Sequence, residues 1–138
     1  MGMSMDGFLA ALIAVSLNSA AYVAEIIRSG IQSIDKGQWE ASRSLGLSNR
    51  QTMRHIILPQ AIKNILPALG NEFVTLIKET AVASTIGVAD LMYASKIVQS
   101  TSYQAFNPLI IVAVIYFIIT FTLSRLIGAL ERRLSRSD

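Results

Sequence analysis

Among its 138 residues the chain has no cysteine and one histidine, His55. The first absence excludes a disulfide framework and a thiolate metal site, and the second leaves a zinc site short of imidazole ligands. No G-x-x-x-x-G-K-[ST] sequence occurs, so a phosphate-binding loop of that kind is missing. The lone histidine lies in a polar stretch and no nucleophile–base pair stands out, so an enzyme is the reading with least support. Charge is also scarce: 15% of residues are charged against 52% hydrophobic. The mean hydropathy of +0.49 is high for a soluble domain of this length. The start, MGMSMDGF, lacks a basic n-region, so a cleaved signal peptide is not expected. No internal repeat, low-complexity tract or second domain is visible, which leaves residues 1–138 as a single domain.

What the chain does have is three long apolar runs. The first, FLAALIAVSLNSAAYVAEII over residues 8–27, carries one charge, Glu25, near its end. Twenty helical residues at about 1.5 Å each reach roughly 30 Å, the thickness of a bilayer's hydrocarbon core. Asn18 and the small residues Ser16, Ser19, Ala20, Ala21 and Ala24 predict a helix packed closely on others rather than bathed in lipid. The second run, residues 65–88, holds Asn71, Glu72, Lys78 and Glu79, which are costly at membrane depth and normally face a bundle interior or a wet cavity. Glu72, Thr75 and Glu79 recur at helical intervals, and Lys78 stands one position off that line. With Thr80 and Ser84 these residues are candidates for a polar translocation path touching a zwitterionic solute. The plainer alternative is ion pairing between packed helices. The third run, from Pro108 to Leu126, is uninterrupted, and its length excludes a soluble strand. The expected fold class is therefore an all-α membrane protein with spans at about 8–28, 65–88 and 108–128.

Charge sets the orientation. Arg28, Lys36, Arg43, Arg50, Arg54 and Lys63 crowd the segment between the first two runs, and Arg125, Arg132, Arg133 and Arg136 follow the third. Residues 89–107 carry Lys96 as their only basic residue, with Tyr93, Tyr103 and Phe106 suited to an interfacial level. By the positive-inside rule the first loop and the C-terminus are cytosolic, and residues 1–7 and 89–107 lie outside, the latter with room for a short interfacial helix. A net charge of +3 distributed in this way reports cytosolic loops, not nucleic-acid binding.

The cytosolic loop, residues 36–60, is patterned for helix. Asp35 and Gln38 fit a D-x-x-Q capping box, and Ser48 and Gln51 fit S-x-x-Q. Gly46 stands where a left-handed residue ends a helix, and Pro59 disfavours helix at Leu58. Two short helices around a glycine corner, then a break, are expected.

Within this loop Glu40, Ala41, Gly46, Ile56, Leu58 and Pro59 match the EAA signature, E-A-A-x3-G-x9-I-x-L-P, with Ser42 in place of the second alanine. The chain thereby resembles the transmembrane permeases of bacterial ATP-binding-cassette (ABC) importers. The wider text, KGQWEASRSLGLS and LPQAIKNILPALGNEFVTLIKET, is similar to their polar amino-acid branch of histidine, glutamine and arginine type. The resemblance covers about Ala20 to Leu134. It departs at Ala81, where that branch often has serine. It implies the core of a type I importer permease in a bacterial inner membrane, coupling ATP hydrolysis by a separate ABC ATPase to amino-acid import. The ATP is bound by that partner, and the permease itself carries no cofactor. A second permease subunit, identical or different, and a periplasmic or lipid-anchored solute-binding protein are the other implied partners, with no nucleic acid. Glu40, Ala41, Ser42, Arg43, Gly46, Ile56, Leu58 and Pro59 are the implied ATPase-coupling residues. Such permeases usually have about five spans and three occur here, so the chain is expected to be partial. A truncated, non-transporting adaptor and a permease for another small solute, such as an opine or cystine, are the alternatives. A helix-turn-helix DNA-binding module fails on the apolar run from Leu109 to Thr122.

Overall fold

The computed structural model describes residues 6–135 and is helical in every regular element it contains. Helix α1, Gly7–Gln32, opens at Asp6, whose side chain accepts from the Phe8 N–H. Its better-covered positions include Ala11, Val15, Ser19, Val23, Ile26 and buried Gly30, which repeat every three or four residues and form one stripe. Ser16, Ala20, Ala21 and Ala24 lie off that stripe and are exposed among the described residues, so the close approach expected of them falls instead to Gly30.

Helix α2, Lys36–Ser44, follows a short turn. Helix α3, Asn49–Thr52, runs without interruption through a π-helical turn, Met53–Ile57, into α4, Leu58–Glu79. Helix α4 is the centre of the molecule, with α1 against one side and α6, Asn107–Ser135, against another. Its buried positions are Ala61, Ile65, Pro67 and Val74, and Val112 of α6 and Ile57 complete the small buried apolar set. Two glycines set how closely these helices approach. A Cβ added at Gly30 would lie 2.3 Å from Ile65 Cγ1, and one at Gly70 would lie 2.9 Å from Ile127 Cγ1.

The expected break at Pro59 is absent. Leu58 is helical, with φ −62° and ψ −42°, and its N–H donates to the Met53 carbonyl five residues back. The wide turn, with its five-residue hydrogen-bond step, lets the helix continue past Pro59, a residue with no N–H to give. The 65–88 run is likewise not one α-helix. It tightens at Thr80 into a 3₁₀ segment, Thr80–Ile86, ended by left-handed Gly87. Helix α5, Leu91–Ser102, then leaves at a 47° bend.

Helices α1 and α6 are long and apolar enough to cross a membrane, and a third crossing results if the bent stretch from Asn49 to Ser102 is one span. Large apolar side chains such as Leu17, Phe117 and Ile118 stay exposed, which suits a lipid-facing or partner-facing wall. Residues 1–5, and Arg136 among the C-terminal basic residues, lie outside the described residues.

Candidate functional site

Two polar regions emerge, one at each end of α4. The first is the corner between α2 and α3. Asp35 caps α2 by accepting from the Gly37 N–H, but Gln38 returns no side-chain bond among the described residues, so the first capping box is half formed. At the other end of α2, the Leu47 N–H donates to the Ser42 carbonyl at 3.1 Å and the Gly46 N–H to Arg43 at 2.9 Å. This paired closure is a Schellman motif, and Gly46 at φ +77° supplies the left-handed residue it requires. The second box is complete: the Ser48 hydroxyl accepts from the Gln51 N–H, and the Gln51 side chain accepts from the Ser48 N–H at 3.0 Å.

These local bonds fix which side chains are covered. Ser42 is 1% exposed and donates its hydroxyl proton to the Trp39 carbonyl at 2.8 Å. Thr52 and Ile57 are buried beside it in the corner, with the Thr52 hydroxyl lacking a partner among the described residues. Glu40, Ala41, Arg43 and Gly46 are all exposed on the outer surface, as are Leu45 and Pro59. Ile56 is half-buried and its carbonyl accepts from the Gln60 side chain at 2.8 Å, while Leu58 is partly exposed. The signature is thus split by the fold. Ser42 holds the corner together, and Glu40, Ala41 and Arg43 are free to meet another surface.

The second region is a groove between α1 and the far end of α4. Glu72, Thr75 and Glu79 are half-buried along one line of α4. Asn18 of α1 donates its amide N–H to Glu79 Oε2 at 3.4 Å, and Ala14, Val15 and Val82 complete the groove wall. Glu72 Oε1 is enclosed and has no hydrogen-bond partner among the described residues. Asn71 and Lys78 fall on a neighbouring, exposed strip, and Lys78 makes no ion pair among the described residues. Thr80 satisfies its own turn by donating to the Ile77 carbonyl. Ser84 does not face this groove's polar pair: it is 4% exposed and accepts from Lys96 Nζ of α5 at 3.1 Å. The candidate path residues therefore separate into a half-buried line, an exposed strip and a 3₁₀ segment tied to α5. Asn18 joins the first group. Its signal in the sequence was visible, as the one amide within an apolar run, but the partner across the groove was not.

An exposed corner and a groove with Asn18 and Glu79 in its wall thus stand at opposite ends of α4. Residues 1–136 match the family described as "Binding-protein-dependent transport system inner membrane component", and the chain belongs to that family. It is an all-α membrane protein. It is 44% identical over 136 residues to the probable glutamine ABC transporter permease protein GlnM of Bacillus subtilis (strain 168), a match covering 99% of this chain and 63% of that protein. It is 46% identical over 138 residues to the arginine transport system permease protein ArtQ of the same organism, covering 100% of this chain and 63% of that one. A solved structure described as "Crystal structure of an amino acid ABC transporter with histidines" superposes with a TM-score of 0.92 at 55% identity, covering 96% of this chain and 62% of that chain. The chain thus spans just under two thirds of the length of these relatives.

Proposed function

We propose that the chain is the transmembrane permease subunit, in one partial domain, of an ATP-driven importer for polar amino acids. A separate ABC ATPase hydrolyses ATP, and the chain itself performs no chemistry and holds no cofactor. The observation that carries this is the α2 corner. It presents Glu40, Ala41 and Arg43 outward while Ser42 is buried and α2 packs on α3 and the π-turn that lead into α4. Force applied at α2 reaches the bundle's central helix through a continuous helical stretch from Asn49 to Glu79. Glu40 stands exposed at the middle of α2, free to meet a cation on the ATPase. Gly46, Ile56, Leu58 and Pro59 shape the same element. Closure of an ATPase dimer would draw two such corners together, one from this chain and one from a second permease subunit, and rock the attached helices.

The groove walled by Asn18 and Glu79, with Glu72 and Thr75 on the same line of α4 and Asn71, Lys78, Thr80 and Ser84 on the flanking surfaces, is our candidate solute path. Both signs of charge there suit the ammonium and carboxylate of an amino acid, and the names of the relatives, which mention glutamine and arginine, favour the same class. A periplasmic or lipid-anchored binding protein delivers the solute in this reading. The chain then sits in the bacterial inner membrane with its C-terminus and α2 corner in the cytosol.

The test is reconstitution with ATPase and binding protein. Glu40→Lys and Gly46→Asp should abolish solute-stimulated ATP hydrolysis while the spans still insert. Normal uptake from either variant would remove the coupling role.

A further inference from the structure

The stretch from Thr80 to Ile86 is unusual for its length. A 3₁₀ helix has poorer hydrogen-bond geometry than an α-helix and rarely exceeds three or four residues, yet this one runs for seven. It ends the helical stretch Asn49–Ile86, which meets α5 at 47° across residues 87–90, where Gly87 is left-handed. Its end is closed by bonds from the Gly87 N–H to the Ser84 carbonyl at 3.3 Å and from the Val88 N–H to Ala83 at 3.2 Å. The side chains that line α5 against it are joined through one polar contact, Lys96 Nζ to Ser84 Oγ at 3.1 Å. Lys96 is the only basic residue between positions 89 and 107, and, half-buried itself, it donates to a buried hydroxyl.

We propose that residues 80–90, the 3₁₀ segment with the left-handed break that follows it at Gly87, form a flexure on which α5 swings relative to α4, and that the Lys96–Ser84 bond, which bridges the break, is the latch holding it in the bent position. The flexure and latch are properties of this chain alone. Their use, opening and closing the outer mouth of the Asn18–Glu79 groove, rests on the import reading. The 3₁₀ segment suits the task, since its weak internal bonds can lengthen to an α-helical pattern at small cost. The latch suits it as well, since a charged donor on a neutral hydroxyl is stronger than a neutral pair yet leaves no buried carboxylate behind when it breaks.

The absence of cysteine makes a clean distance measurement possible. Spin labels on Phe73→Cys in α4 and Val98→Cys in α5, both exposed, report the swing. A second pair on Ile27→Cys in α1 and Ile62→Cys in α4, also exposed, reports the bundle itself. In the full chain in lipid nanodiscs, Lys96→Met and Ser84→Ala should each raise a second distance population for the first pair by roughly tenfold, as expected on losing a hydrogen bond to a charged group. Lys96→Arg should restore the single population, and the second pair should not change. An unchanged first pair would overturn the latch. So would a parallel change in both pairs, because the bond would then support the whole fold and not one joint. Neither distance requires ATPase or solute, so failure here is separable from failure of the import assignment.

Discussion

Gly30 offers the sharpest test of how this bundle is packed, because two physical effects there have opposite signs. In an isolated helix, Gly→Ala stabilises by about 1 kcal/mol, since alanine loses less backbone entropy. In this molecule Gly30 is buried against α4, and a Cβ would fall 2.3 Å from Ile65 Cγ1 and 3.1 Å from its Cδ1. Ile65 is 7% exposed and β-branched within a helix, where one χ1 rotamer dominates, so it cannot easily turn away. Overpacking of this kind costs about 1–3 kcal/mol. With so close an approach the clash should outweigh the propensity gain, leaving Gly30→Ala destabilised by up to about 2 kcal/mol. The partner substitution isolates the cause. Ile65→Ala removes both close atoms and leaves the Ile65 Cβ at 3.6 Å, an ordinary contact. Alone it costs about 2–5 kcal/mol through the lost packing and the cavity. Combined with Gly30→Ala it should cost less than the sum by about 1–3 kcal/mol, since the new methyl enters the space vacated. Reversible unfolding in mixed micelles, followed by circular dichroism, gives all three values. A stabilised Gly30→Ala, or an additive pair, would refute the close approach of α1 and α4 described above.

Four further outcomes follow from the same structure. Gly46→Ala meets no atom within 4 Å but must hold φ +77°, so it should cost about 1 kcal/mol from backbone alone and loosen hydrogen exchange at the Leu47 amide; Gly46→Asn should cost less. Ser48→Ala removes one arm of the complete capping box, at about 1 kcal/mol, and should speed exchange of the Gln51 amide, whereas an unchanged rate would show the box to be idle. Arg28→Ala breaks a 2.7 Å ion pair with Glu25, but both side chains are exposed, so unfolding should move by no more than about 0.5 kcal/mol. Glu79→Gln keeps a polar partner for Asn18 while removing the charge. It should alter the solute concentration for half-maximal uptake and leave ATPase docking intact, and the reverse ranking would remove Glu79 from the path.

The parts of the molecule that could be read from sequence are those governed by local chemistry. The all-α membrane class followed from run length and hydropathy. Gly46 announced its left-handed turn, and Ser48 with Gln51 announced a capping box, because each depends on residues within a few positions. Pro59 misled for an instructive reason. Its disfavour of helix at Leu58 is a local rule, and the π-turn at Met53–Ile57 that accommodates it is a register choice of the whole stretch. The tightening at Thr80 was equally hidden, since nothing in Thr80–Ile86 distinguishes 3₁₀ from α by composition. Among the candidate path residues, helical spacing correctly grouped Glu72, Thr75 and Glu79 on one line. It could not reveal that Asn18 of α1 faces Glu79, or that Ser84 is taken by Lys96. Those are contacts between residues 61 and 12 positions apart, decided by how three helices settle.

The same division explains why the signature residues cannot be treated as one kind. Ser42 and Glu40 are two positions apart on α2, hence about 200° around its axis, and the fold sends one inward and the other out. A small residue is favoured at 42 by the corner itself, where Ser42 is 1% exposed and its hydroxyl is bonded to the Trp39 carbonyl, whatever surface lies beyond. An acid at 40 is demanded by nothing inside this chain: it is exposed and makes no ion pair among the described residues. Loss of Ser42's small size should therefore appear as lost stability before lost coupling. Loss of the charge at Glu40 should leave stability untouched and appear only when a partner is present. That contrast separates the residues that build the corner from those that offer it to another protein, and it is the reason the exposed half, rather than the whole motif, carries the functional argument.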